Sequence, residues 1–255
     1  MPQIEIRSLG HRYARRGPWV LHDVELTLQD GALVKVTGRN GAGKSTLLRV
    51  LAGVVRPVAG TVAGRPAAVG YAPERFPTGQ PFTVRRYLRH MARIRGLGRK
   101  DAKAAVGTIT ERLAMTELLR TPLRELSKGA AHKVGVAQAF LAPAELLVLD
   151  EPFAGLDAET RGTLTGLITG ASRDGAMVVF SDHLQAQPGL EKAVRWQVGD
   201  GTVRRLEPGD AGDPEAENPP RPPSVTFELT VPQDEAERVE RSLRIRGYEP
   251  KRVDR

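Results

Sequence analysis

The stretch "GRNGAGKST", residues 38–46, constrains the fold of this chain more than any other part of it. It matches G-x-x-x-x-G-K-[ST] from Gly38 to Ser45. An apolar stretch, "ALVKVTG", precedes it, and a helical pattern, "GKSTLLRVLAG", grows out of it. A buried strand turning sharply into a helix is the context such a pattern needs. Gly38, Gly41 and Gly43 let the backbone curl until successive N–H groups face one anion. The N-terminus of the helix adds roughly half a positive charge at the same point. Lys44 is placed to reach β- and γ-phosphates, and the Ser45 hydroxyl to hold Mg2+. Asn40, Ala42 and Thr46 complete the cradle, and Leu47, Leu48, Val50 and Leu51 give the helix its apolar face.

A second pattern supports the first. "LLVLDEP" reads as a short buried strand ending in Asp150 and Glu151. Acids at the C-terminal end of a parallel strand sit where α/β sheets bind ligands. Asp150 can hold Mg2+ and Glu151 can act as a general base toward water. Two acids ending a strand would mean little without the phosphate cradle; beside it, they read as its partner.

The rest of the chain sets these patterns in an α/β frame. "QIEIRSL" and "DVELTL" read as strands, and residues 53–72 as further short strands broken by Gly and Pro. Residues 83 to about 128 turn helical, with Thr83 as a cap for "TVRRYLRHMARIRG" and "RKDAKAAVGTITERLAMTELL" continuing in the same manner. "AAHKVGVAQAFLA" and "DAETRGTLTGLITGAS" are helices, and "AMVVFSD" is a second buried strand. Strand, helix, strand, helix predicts a parallel sheet. Residues 207–224 form a Pro-rich acidic linker. A small strand-helix-strand appendage is expected at 225–255.

Composition limits the chemistry. No cysteine is present, which excludes disulfides, thiolate catalysis and Cys-based metal sites. The net charge of +8 favours anionic partners, leaving nucleotide, nucleic acid and an anionic membrane face open, with coding bias toward Arg the stronger explanation. No run of about 18 apolar residues suggests a membrane span. The opening "MPQIEIRSLGHRY" has no apolar signal region. A cytoplasmic location is expected.

Over residues 2–206 the patterns, in their order, resemble the ABC ATPases, the nucleotide-binding subunits of ABC transporters. "LSKGA", 126–130, falls at the family's signature, and "AGLD" places Asp157 in the loop that communicates across a dimer. The resemblance implies a P-loop ABC ATPase domain over 1–206, with a mainly parallel sheet, an antiparallel β subdomain and a helical subdomain at about 75–130. It also implies ATP and Mg2+ as cofactors. Tyr13 takes the position of a ring that stacks on adenine, with Trp19 as a nearby packing residue. Glu74 in "GYAPE" stands where the family has a Gln that contacts Mg2+ and senses the membrane partner. His183 in "VVFSDHLQ" takes the switch position. Two such domains, as a homodimer or a heterodimer, would enclose ATP, with Ser127 and Gly129 of one chain closing on the γ-phosphate held by the other.

The chain departs from the usual L-S-G-G-Q at Lys128 and Ala130. Losing the Gln side chain removes about 0.5–1.5 kcal/mol of hydrogen bonding, which weakens the site without abolishing it. These departures, with Glu74, resemble exporter-type variants and favour export. The expected partner is an integral membrane permease on a separate chain, contacted near Glu74 to Arg95, which places this chain peripherally on the inner face of the cell membrane. No nucleic acid partner is expected. A catalytically weak subunit of a heterodimer, or a soluble ABC ATPase acting on ribosome or nucleic acid, are the alternatives.

Overall fold

The computed structural model describes residues 3–182, 188–206 and Val239. Nine strands and five α-helices are described in chain order among these residues. Strands β1 (Gln3–His11), β2 (Leu21–Gln29) and β4 (Ala59–Ala63) form an antiparallel sheet in the order β2-β1-β4. A second sheet has the order β5-β6-β7-β3-β8-β9. In it β5 (Val69–Ala72), β6 (Leu146–Leu149), β7 (Met177–Ser181), β3 (Leu33–Thr37) and β8 (Val194–Gly199) run parallel, and β9 (Thr202–Leu206) is antiparallel to β8.

The central strands are apolar throughout because both of their faces are covered. Successive side chains on a strand point to opposite faces. Leu146, Val148, Met177 and Val179 accordingly join one core with Leu47, Leu48, Val50 and Leu51 of helix α1 (Lys44–Leu51) and with Ile4 and Ile6 of β1. Leu147, Leu149, Val178 and Phe180 join the other core. That second core is shared with α2 (Val84–Ile94), α3 (Arg99–Arg112), α4 (Lys128–Ala139) and α5 (Ala158–Arg173).

Capping sets the helix boundaries. Thr83 caps α2 by accepting from the Arg86 N–H, as the sequence suggests. The expected continuation beyond residue 112 is broken: Ala114 takes φ 48, a left-handed conformation that ends α3, and two short 3-10 turns follow. The helix expected near Ala131 starts earlier, at Lys128, because Ser127 caps it by accepting from the Ala130 N–H.

Register then positions the site. β6 and β7 pair Leu149 with Phe180, and β3 and β7 pair Val36 with Ser181. Within two residues of these pairs, Asp150, Asp182 and the loop from Gly38 all emerge at the same C-terminal edge of the sheet. By compactness the chain divides into Met1–Asn218 and Pro219–Arg255. The linker expected at 207–224 and the appendage expected at 225–255 lie outside the described residues, except for Val239.

Candidate functional site

Backbone geometry explains the loop between β3 and α1. Gly38, Gly41 and Gly43 take φ 137, 81 and 109, which side chains rarely tolerate. At Gly38 a Cβ would also stand 2.2 Å from the Val198 carbonyl oxygen. Lys44 folds over the loop, and its Nζ donates to Gly38 O at 2.7 Å and Arg39 O at 3.2 Å. Burial lowers the Lys44 pKa, while Glu151, Asp150 and Glu74 oppose that shift. The loop is an arrangement of aligned N–H groups and one buried cation, suited to a polyphosphate.

The acids face it from β6. Asp150 is 1% exposed, and its Oδ1 accepts from the Ser181 hydroxyl at 2.8 Å. Its Oδ2 is buried with no hydrogen-bond partner. Burial raises the Asp150 pKa, and the neighbouring Ser181 and Ser45 hydroxyls oppose this. A buried carboxylate oxygen without a partner, beside a serine hydroxyl and a phosphate cradle, fits Mg2+, which takes one or two carboxylates and completes its shell with phosphate oxygens and water. No cluster of three or more His, Cys, Asp and Glu that could hold a metal occurs among the described residues. An ion here would therefore depend on phosphate for much of its shell.

Glu151 stands next to Lys44 with φ 53, left-handed for a residue that is not glycine. Its N–H donates to the same Ser181 hydroxyl at 2.8 Å. Burial pushes its carboxyl up to about 7; Lys44 opposes the shift, and Asp182, Asp150 and Glu74 add to it. Ser181 is thus the hub of the acid pair, accepting from one acid's backbone and donating to the other's side chain. The sequence does not single it out, although "VVFSD" and "LLVLD" are both apolar strands that end in an acid, and only the first carries a short polar residue before it. Asp182 pairs with the buried Lys35 at 3.7 Å. His183 lies outside the described residues.

A cleft of about 1480 Å3 is lined by Tyr13, Asn40, Gly41, Gly43, Lys44, Ser45, Thr46, Glu74, Gly129 and Glu151 among others. It therefore gathers most of the residues expected from sequence. Asp150 lies behind it, and Gly38 and Ala42 shape the loop. Tyr13 is 61% exposed, and its hydroxyl is 3.0 Å from Thr46 Oγ1. Its ring and that of His11 pack edge to face, with centroids 4.9 Å apart. Trp19 packs over Gly10 and takes the Arg12 guanidinium on its face at 4.7 Å, consistent with packing. Glu74 is half-exposed, 3.9 Å from Arg75 Nε.

Lys128 and Gly129 also line the cleft. The Ser127 hydroxyl, expected to face a phosphate of another chain, is used here as the cap of α4. Gly129 has helical geometry, and a Cβ there would meet nothing within 4 Å. Among the described residues, nothing crowds this position, and it stays open to the cleft.

The family model for ABC transporters matches residues 21–154, just over half of the chain. The zinc import ATP-binding protein ZnuC of Paramagnetospirillum magneticum is 37% identical over 180 residues, which are 68% of this chain and 66% of that protein. ZnuC of Alkalilimnicola ehrlichii is 40% identical over 169 residues, 65% of this chain and 61% of its own length. The match thus spans slightly less than two thirds of these relatives. A solved structure described as the ATP-binding subunit of an ABC transporter superposes with a TM-score of 0.72 at 25% identity, over 80% of this chain and 89% of that one. Cradle, acid pair and signature in one cleft agree with these likenesses: the chain belongs to the ABC transporter family, among its ATP-binding subunits.

Proposed function

We propose that the chain binds and hydrolyses ATP with Mg2+, as one of a pair of such domains, and so powers transport through a separate membrane permease. The observation that carries this is the meeting of Lys44, Ser45 and Glu151 in a cleft that also holds Gly129 of the signature, with the buried Asp150 beside Glu151 at the same sheet edge. Lys44 and the loop N–H groups would hold the β- and γ-phosphates. Ser45 and Asp150 would hold Mg2+, with Glu74 near enough to face it; the ion, when bound, neutralises phosphate charge. Tyr13 would offer its exposed ring face to adenine. Glu151 would orient water and take its proton, with His183 stabilising charge on the transferring phosphate. Positioning and electrostatics supply most of the rate in such reactions. Ser127 and Gly129 of the facing chain would complete the site.

Export was the direction suggested by Glu74, Lys128 and Ala130. Both relatives described above carry zinc import in their names. They give that preference no support, and the proposal is confined to powering transport. Location at the inner face of the membrane, as a peripheral subunit, is part of the same reading. A second reading, a weak subunit supporting a stronger one, rests on the altered signature, in which Ala130 lacks the amide of the usual Gln, while Lys128 adds a cation at the start of α4 that offsets part of the loss.

The test is Glu151→Gln. ATP should still bind, and turnover should fall at least about 100-fold, the scale for losing a group that acts on the reacting water. Turnover close to wild type would remove Glu151 from the mechanism.

A further inference from the structure

Outside the cleft, one face carries charge that the chain itself does not balance. Residues 84–103 hold eight Arg and Lys side chains and a single acid, Asp101. None of the eight forms an ion pair among the described residues. Arg95 is used internally, donating to the carbonyl oxygens of Ala142 and Pro143. Most of the others face solvent. On α2, Arg86, His90 and Arg93 are exposed at helical spacing, so they form one stripe. After the short connection 95–98, α3 opens with exposed Arg99, Lys100 and Lys103.

These charges work against the helices that carry them. Arg85 and Arg89, and Arg89 and Arg93, are like charges four residues apart, which repel. Arg85 and Arg86 occupy the first turn of α2, and Arg99 and Lys100 that of α3, where the helix dipole disfavours cations. An anion outside the chain would relieve both penalties. It must be extended, because α2 alone runs about 16 Å. The patch also has an apolar member: Ile94, beside Arg93, is 64% exposed. It offers no ring free for stacking on bases. Tyr87 is buried, and Phe82 is half-buried with the Arg86 guanidinium 5.2 Å above its ring and the His90 ring 6.1 Å away. Cations around a bare aliphatic side chain suit the headgroup layer of a bilayer, where phosphates meet the acyl boundary.

We propose that the exposed face of α2 with the start of α3 docks on an anionic lipid surface, its Arg and Lys side chains taking headgroup phosphates and Ile94 entering the headgroup layer. None of these residues lines the nucleotide cleft. This inference rests on the peripheral membrane location proposed above and supplies its contact; ATP chemistry plays no part in it.

The experiment sediments the full chain with vesicles of phosphatidylcholine, alone or mixed with phosphatidylglycerol, and measures ATP hydrolysis and a thermal melt of each variant. Mixed vesicles should bind the chain and neutral ones should not. Arg86→Gln with Arg93→Gln, and separately Arg99→Gln with Lys103→Gln, should each weaken binding about 25-fold, since one charge near such a surface is worth about 5-fold. The control is Lys192→Gln with Arg204→Gln, which removes the same charge beside β8 and on β9, at the sheet edge opposite β5. It should change binding less than about 3-fold. Ile94→Ser should weaken binding about 5-fold. Hydrolysis should be unchanged in every variant. Equal binding to both kinds of vesicle would overturn the inference, as would a control as impaired as the two test pairs. Duplex DNA that displaces the vesicles, with binding indifferent to Ile94→Ser, would make nucleic acid the partner and overturn it too. A wild type that hydrolyses ATP but ignores mixed vesicles would overturn the docking alone; a wild type that does neither would sink the reading beneath it as well.

Discussion

Glu151 gathers most of the physical tension of the site into one residue. Its backbone is left-handed, and its carboxyl is held by burial at a pKa of about 7, against an ordinary value of 4.5. A base poised near the working pH combines a useful fraction of the ionised form with real affinity for a proton. kcat/KM for ATP should therefore rise with pH and level off above about 7, and Glu151→Gln should remove that limb. A steady-state series from pH 5.5 to 9 checks this, and a profile that stays flat through neutrality would be the contrary result. The same shift has a stability consequence of fixed sign. The folded chain keeps this proton to about pH 7, whereas the unfolded chain releases it near 4.5. The group thus favours the folded state most below the lower value and loses that contribution as pH rises through the upper one. Lys44 and the Asp150–Glu151 pair were legible because phosphate chemistry restricts the residue types at fixed spacings. Ser181 was not, because its role depends on β7 lying beside β6, a neighbour relation that no local pattern encodes.

Elements differ in how much of their position the chain declares. β6 and β7 were legible because "LLVL" and "MVVFS" are continuous apolar runs, which only a doubly covered strand can use. The start of α4 was placed too late because the apolar pattern begins after the cap, and the capping bond of Ser127 adds a turn that the pattern does not show. The cradle connecting β3 to α1 gives the sharpest element-level test, because its glycines are required for different reasons. Gly38 has φ 137 and a Cβ there would stand 2.2 Å from backbone of β8, whereas Gly41 has φ 81 with nothing within 4 Å. Gly38→Ala should lower the folding free energy by about 2–4 kcal/mol, combining strain with displacement of a neighbouring strand. Gly41→Ala should lower it by only about 1 kcal/mol. Paired denaturant melts read the difference directly; equal shifts in midpoint would mean that the approach of β8 does not constrain the loop.

At the scale of the whole molecule, the chain carries one cradle and one signature, and on the proposed reading these serve different nucleotides. Lys44, Asp150 and Glu151 have partners within their own chain, while a Cβ at Gly129 would meet nothing within 4 Å among the described residues. No helix among the described residues is long and apolar enough to cross a membrane; on the proposed reading a permease supplies the membrane path. The proposed function predicts a complex of two ATPase domains on one permease. Gentle affinity purification of tagged chain from native membranes, with the recovered proteins identified and counted, should give a polytopic membrane protein with two copies of this chain. In that complex "LSKGA" has to serve both nucleotide sites despite Lys128 and Ala130, since no other signature is present. Recovery of one copy together with a second, different ATPase would transfer the working signature to that partner and make this chain the supporting subunit. Recovery with ribosomes or nucleic acid and without any membrane protein would remove transport from the reading. The cradle, the acid pair and the pH limb of Glu151 would still stand, because they follow from contacts inside a single chain.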